Sequence, residues 1–178
     1  MAVADDFQIR SATVDDAALL SEVAARLFEE AFGAVNEPED MREYLASAFS
    51  PDVQAAELSD PERRTFIALD DDAGTAIGYA MVRRGTRAPG VIAVSPGELQ
   101  RIYVDRRLHG RNVADALMTT CVEQARAWAC DVLWLGVFQE NPRAIAFYRR
   151  SGFVIVGEQT FMLGQDLQHD FVMARSLG

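Results

Sequence analysis

"ELQRIYVDRRLHGRNVADALM" (residues 98–118) reads as a buried strand, a basic loop containing one glycine, and the first turns of an amphipathic helix. A helix start presents four backbone N–H groups without helical partners, and the aligned peptide dipoles add partial positive charge there. Such a junction suits an anion, phosphate above all. The same residues also suit an ordinary βα connection, and the junction alone does not choose between the two.

The chain has 178 residues, 49% of them hydrophobic, which fits one domain (1–178) around one core. Without a run of about 20 apolar residues it is expected not to span a membrane. The opening "MAVADDFQIR" lacks the basic-then-apolar layout of a leader, which points to the cytoplasm. Cys121 and Cys130 fall in and just after a helical pattern and read as small apolar residues, and with only two histidines present no metal site is expected.

A net charge of −10 argues against nucleic acid and favours a cationic partner. All 17 basic residues are arginine, which removes the phosphate-binding lysine of P-loop proteins and lysine Schiff-base chemistry. No G-x-S-x-G elbow is present, which disfavours a triad hydrolase, and no G-x-G-x-x-G follows a strand, which disfavours a dinucleotide site.

Working outward, "FQIRSA" alternates as a strand, and Thr13 is placed to cap a helix with apolar positions Leu20, Val23, Leu27 and Ala31 that Gly33 closes. A second helix starts at Pro38, carries Met41, Tyr44, Leu45, Ala48 and Phe49 as its stripe, and stops at Pro51. "DVQAAELSD" suits a short third helix, and "RTFIALD" and "AIGYAMVRR" are strands joined at a solvated tip, Asp70–Asp72. Residues 85–97, with three glycines and two prolines, form a loop long enough to be a functional flap. After the basic loop, Val113, Leu117, Cys121, Ala125 and Trp128 make the buried face of a helix, and "VLWLGVF" is a central strand. Asn141 caps the next helix, Pro142 opens it, and Gly152 supplies its left-handed terminus. "VIVGEQTFMLG" and "QHDFVMAR" form a final hairpin. The order predicts an α/β mixed sheet of about seven strands, parallel where strands alternate with helices, with ligands at the carboxyl ends of the parallel strands.

"LQRIYV", "HGRNVA" and "WLGVFQENPRAIAFYRRSGF", spanning residues 98–153, resemble the acetyl-CoA motifs of the GNAT superfamily of N-acetyltransferases. The family's loop runs Gln or Arg, two residues, Gly, one residue, then Gly or Ala. Gly110 and Ala114 fit that pattern, whereas His109 replaces the Gln or Arg and Asn112 the middle Gly. Asn tolerates left-handed geometry and can cap a helix. "LFEEAFGAVNEPEDMREYLASAFS" and "FMLGQDLQHDFVMARSL" resemble the bacterial spermine/spermidine N-acetyltransferases within GNAT. The resemblance implies a twisted, mostly antiparallel sheet flanked by helices and splayed between strands 4 and 5, acetyl-CoA as cosubstrate, and a small cationic amine, a polyamine, as acceptor.

The resemblance further implies that Ile102, Tyr103 and Val104 offer backbone groups to the pantetheine arm, with the Val104 amide meeting the oxyanion. The amides of His109, Gly110, Arg111, Asn112, Val113 and Ala114 would take the pyrophosphate. Independently of the resemblance, Arg106, Arg107 and Arg111 add charge where phosphates would lie, with solvated surface charge as the competing reading. Asn141, Ala144, Phe147 and Tyr148 complete the coenzyme site, and Tyr148 is implied as the acid that protonates the departing thiolate. Independently, Asn141 and Tyr148 lie two helical turns apart, about 10 Å along one face. For the base we expect Glu98, acting through water: strand alternation sets Glu98, Gln100 and Ile102 on one face, although a solvated strand-start glutamate is the competing reading. Glu29, Glu30, Asn36 and Tyr44, near further acids Glu37, Glu39 and Asp40, are the acceptor-side candidates; a solvated acidic face explains the same charges. Other acceptors (a peptide amine or an amine drug), and a domain that senses acetyl-CoA without turnover, remain open. An edge strand or an exposed apolar helix face offers a route to a homodimer, and no motif decides it.

Overall fold

The computed structural model describes residues 7–178. The first six residues, on which part of the reading against a leader falls, lie outside the described residues.

β1 (Phe7–Ser11) leads through a 3-10 turn at Val14–Asp16 into α1 (Ala17–Phe32), followed by α2 (Pro38–Ala48) and α3 (Pro51–Ser59). Thr13 therefore opens the 3-10 turn rather than α1, its backbone N–H donating to the Asp16 carboxylate at 2.8 Å. Asp16 also pairs with Arg10, which holds its pKa down at about 2. Pro51 does not stop α2. That helix ends at Ala48, and Pro51 instead begins α3, whose cap Ser50 accepts from the Val53 amide. Proline suits the first turn because its missing N–H would be unpaired there anyway.

β2 (Arg63–Asp70), β3 (Ala76–Arg84) and β4 (Pro96–Val104) follow as a meander, then α4 (Val113–Ala127), β5 (Val132–Phe138), α5 (Pro142–Arg150), β6 (Val154–Leu163) and β7 (Asp166–Ser176). Gly152, at φ 87°, takes the left-handed position after α5 as expected. The strands form one seven-stranded sheet in the order β1-β2-β3-β4-β5-β7-β6. Only β4 and β5 pair in parallel, and α4 is the crossover that such a pair requires.

One sheet face packs α4 and α5, burying Val113, Leu117 and Cys121 against Ala80, Leu99, Leu135 and Met173. Trp128, expected on that buried face, packs against this core but is only half buried; it lies just past the end of α4, with the Arg84 guanidinium 5.4 Å from its ring. The other face packs α1 and α2, with Leu20, Leu27, Phe28 and Met41 against Ile67, Tyr79 and Leu163. Both cysteines are buried and free. The 85–95 loop forms no strand and is pinned rather than free: Trp134 Nε1 donates to Thr86 O at 3.0 Å, and the Asp131 carboxylate accepts from the amides of Val94 and Ser95. Its Gly90 also abuts Val156 and Gly157 of β6, so closely that a side chain at Gly90 would strike the Val156 carbonyl.

The feature that shapes the functional end is a bulge in β4. Arg101 pairs with Met81 and Leu99 with Val82, leaving Gln100 as the extra residue. The bulge is anchored from α3: Arg101 makes a two-pronged pair with Glu57 at 2.6 and 3.1 Å, while Arg63 donates to both Glu57 and the Gln100 side chain. Arg101 and Glu57 are almost entirely removed from water, at 11% and 12% side-chain exposure. Removing one partner of such a pair leaves an uncompensated buried charge, typically at a cost of about 3–5 kcal/mol. Glu57→Ala is therefore expected to lower stability by about 3 kcal/mol in a urea titration; a loss below about 1 kcal/mol would show that the anchor contributes little.

Candidate active site

β4 and β5 pair over only three residues, from Pro96–Val132 to Glu98–Trp134. A bulge bends a strand and increases its twist, so after Gln100 β4 leaves the sheet plane and diverges from β5. From Leu99 to Val104 the backbone edge facing β5 has no strand partner there, and backbone groups in that position call for another hydrogen-bonding partner. The divergence opens a cavity of about 870 Å³. Ile102, Tyr103 and Val104 line one wall, Gly136 and Phe138 another, and the starts of α4 and α5 close one end.

At that end the chain turns sharply. Asp105, nearly buried, accepts at Oδ1 from the Arg107 amide and pairs with the Arg107 and Arg26 guanidiniums, which hold its carboxyl far below the usual range. His109 Nε2 lies 3.2 Å from the Val104 carbonyl, and burial, then the Arg143 charge, push its pKa down, so the ring is neutral at pH 7 and the tautomer protonated on Nε2 donates to that carbonyl. Gly110 at φ 91° and Asn112 at φ 60° turn the backbone into α4, whose first residues Val113, Ala114 and Asp115 border the cavity. Asn112 makes no side-chain cap, contrary to one of the two roles considered for it; its fitness here is the left-handed backbone alone. The loop thus aims a helix N-terminus at the cavity.

α5 enters from the adjacent strand end. The Asn141 side chain accepts from the Ala144 amide at 3.1 Å, which fixes the helix start. Asn141, Ala144, Phe147 and Tyr148 all border the cavity. The Tyr148 ring rests against Phe147 and Phe153, at 5.4 and 6.0 Å between centroids, and this apolar packing raises the phenol's pKa above its ordinary value of 10.

Two carboxylates reach the cavity from strands, in unlike surroundings. Glu98 Oε2 accepts from Arg83 Nε at 2.6 Å and from the Thr86 hydroxyl at 2.6 Å. Asp170 of β7, opposite Phe138 of β5 and Gln159 of β6, is buried with no arginine pairing to it among the described residues, and burial pushes its pKa up to about 6. Gly136, exposed although it sits in a central strand, makes room for the Gln159 amide beside Asp170. A Cβ there would fall 3.2 Å from Asp170 Oδ2 and 2.5 Å from the Gln159 amide nitrogen.

Comparison with known proteins now bears on this geometry. The sequence matches the acetyltransferase (GNAT) family over residues 21–153. The chain belongs to the GNAT acetyltransferase family. It is 37% identical over 162 residues to an uncharacterized N-acetyltransferase of Mycobacterium bovis, covering 91% of this chain and 98% of that one. It is 30% identical over 64 residues to the spermine/spermidine N(1)-acetyltransferase of Bacillus subtilis, covering 35% of this chain and 42% of that one. Its fold superposes on the PaiA N-acetyltransferase of Thermoplasma acidophilum, solved in complex with coenzyme A, with TM-score 0.75 at 19% identity, over 96% of this chain and 98% of the other.

In this GNAT chain most of the residues expected at the coenzyme side converge on one cavity: Ile102, Tyr103, Val104, His109, Gly110, Asn112, Val113, Ala114 and the four from α5. The arginines sort differently from expectation. Arg107 is engaged by Asp105, and Arg111 is exposed and does not border the cavity, whereas Arg106 does, together with Arg143 from the first turn of α5, which the sequence reading missed. On the acceptor side Glu30 and Tyr44 border the cavity; Glu29 points to solvent; Asn36 accepts from Gln168 in a neighbouring groove. The expected common face of Glu98, Gln100 and Ile102 does not form. The bulge shifts the alternation, so Ile102 packs with α4 while Arg101 and Tyr103 turn to the α1–α3 side with Glu98's partner Arg83. Among the described residues no cluster of metal-ligating side chains occurs.

The left-handed turn at Asn112 makes a direct prediction. A β-branched residue there is strained by about 1–2 kcal/mol, whereas glycine is not. Asn112→Val should lower the thermal midpoint and Asn112→Gly should leave it near the parent's; equal stability of both variants would contradict the backbone assignment.

Proposed function

We propose that this GNAT protein transfers the acetyl group of acetyl-CoA to a primary amine of a small cationic acceptor, a polyamine such as spermidine or spermine. One observation carries the reading: Tyr148, the unpaired edge of β4 and the N-terminus of α4 border a single cavity. The α4 amides with Arg106 and Arg143 suit a pyrophosphate, and the open edge from Leu99 to Val104 suits the amide-bearing pantetheine arm. The coenzyme A complex of the Thermoplasma relative supports the choice of coenzyme, and the stretch shared with the B. subtilis enzyme supports the polyamine. The unpaired, buried cysteines suit a reducing compartment such as the cytoplasm. Among the described residues no helix is long and apolar enough to cross a membrane.

Acetyl transfer requires an unprotonated amine, charge stabilisation at the carbonyl oxygen, and a proton for the departing sulfur. The Val104 amide, on the edge of β4, is our candidate for the carbonyl oxygen. Tyr148 meets the last need: its raised pKa keeps the hydroxyl protonated at every working pH, ready to donate to a thiolate. That same burial opposes a free tyrosinate, so proton delivery to sulfur is coupled to return of a proton from the attacking nitrogen. Glu30 borders the cavity but is already paired with Arg26 at 3.0 Å, so the negative field toward a cationic acceptor comes from the chain's overall charge.

The test is release of coenzyme thiol from acetyl-CoA with spermidine, spermine and a short peptide amine supplied separately. Polyamine-dependent release is expected, and Tyr148→Phe should reduce the rate by about 10²–10⁴-fold. Release with the peptide alone would overturn the polyamine, and a fully active Tyr148→Phe variant would overturn its role as acid.

A further inference from the structure

We infer that Asp170, on β7, is the carboxylate that receives the proton of the acceptor's ammonium group, and that Glu98 is not. The inference rests on the amine-acetylation reading above and names the base that reading lacks.

Position comes first. Asp170 stands opposite Phe138, the last residue of β5, and therefore at the carboxyl end of the strand along which the cavity opens. Gly136, two residues earlier on β5, has no side chain, and the Gln159 amide that hydrogen-bonds Asp170 sits over it, with all three residues bordering the cavity. The wall around it is aromatic: Tyr44 packs edge-on against Phe161 at 5.5 Å and tilted against Phe28 at 4.8 Å, and all three border the cavity. An alkylammonium brought between these rings meets apolar and π surface on its carbon chain and a carboxylate at its head.

Chemistry separates the two acids. Glu98 already has a guanidinium and a hydroxyl on one oxygen, so its charge is satisfied by the protein. Asp170 has the Gln159 amide opposite it and His169 next along its own strand; Tyr44 of α2 is near enough for the Asp170 charge to act on its phenol. Across the splay the same cavity is bordered by Tyr103, by Arg101 and the Glu98–Arg83 pair, whose arginines are committed to glutamates, and by Arg87, which donates to the Ala93 and Val94 carbonyls. Arg106, Arg143 and Arg150 border it near α4 and α5, and among the described residues none of these arginines pairs with Asp170. A carboxylate without a cationic partner in a largely dry site attracts an ammonium and then accepts its proton, since a base works best with proton affinity near the operating pH. The value near 6 for Asp170 falls in that range.

The proton balance closes. The acceptor arrives with three N–H bonds and leaves, as the amide, with one. Asp170 takes the first proton and passes it to water. The freed nitrogen pair forms the C–N bond, and the C–S bond breaks with its electron pair on sulfur. Sulfur takes the Tyr148 proton, and the second nitrogen proton restores Tyr148. One proton is released per turnover.

The experiment compares the parent protein, Asp170→Asn and Glu98→Gln, reading thiol release with spermidine from pH 5 to 9, coenzyme A affinity by calorimetry, and thermal denaturation at pH 5 and 8. The parent is expected to show an acidic limb near pH 6 in kcat/KM. Asp170→Asn should lose that limb and about 10²–10⁴-fold in rate, with coenzyme affinity unchanged. A carboxyl whose pKa is raised by folding stabilises the native state below the unfolded value and loses that contribution as pH rises through about 6. Asp170→Asn should therefore be at least as stable as the parent at pH 8, which separates lost chemistry from misfolding. Glu98→Gln should retain the limb. An Asp170→Asn variant that keeps rate and limb, or a limb abolished by Glu98→Gln, overturns the assignment while leaving amine acetylation standing. A parent protein that binds coenzyme A but releases no thiol with any amine overturns both.

Discussion

The anchored bulge of β4 is the constraint on which the site depends. Glu57 of α3 and Arg63 of β2 hold Gln100 and Arg101 in a two-against-one register with Met81. Two parallel strands would otherwise continue to satisfy each other's backbone groups, and a continuous ladder has no room for a ligand. By bending β4 just after its last pair with β5, the bulge turns a sheet interior into a cavity with an unpaired edge. One buried carboxylate of α3, acting through Arg101, thereby helps hold the cavity open.

The same divergence divides the electrostatics. The end proposed for the coenzyme collects a helix N-terminus, Arg106 and Arg143, while β7 carries a buried acid, Asp170. Within one cavity Glu98 is ion-paired, and among the described residues Asp170 is not; that contrast in environment is the ground for proposing different work for the two carboxylates. A phenol made harder to ionise by its apolar neighbours completes the set. Each pairing decision is local: Asp105 engages Arg107 two residues away, whereas Arg106 and Arg143 border the cavity.

Much of this was legible in the sequence because it is written in short-range chemistry. Pro142 after Asn141, Gly152 after the last turn, and the apolar run of β5 carry their own structural reasons, and each element formed where those reasons placed it. Pro51 shows the limit of such signals, since the residue that ends one helix also begins the next. The face of Ile102 was misread because strand alternation assumes two residues per repeat, and a single inserted residue reverses everything beyond it. Asp170 did leave a trace: in "QHDFVMAR" it takes the inward phase with Val172, a charged residue at an apolar position. Its lack of an arginine partner could come only from the folded arrangement of β5, β6 and α2.

The central claim is that the unpaired edge of β4 and the turn into α4 form the coenzyme's seat. Amide hydrogen exchange, compared with and without coenzyme A, tests it most directly. Exchange should slow in residues 99–104 and 110–115 and stay unchanged in β1 and β2, which lie on the far side of the sheet. Binding of coenzyme A with no added protection in those two segments would contradict the account.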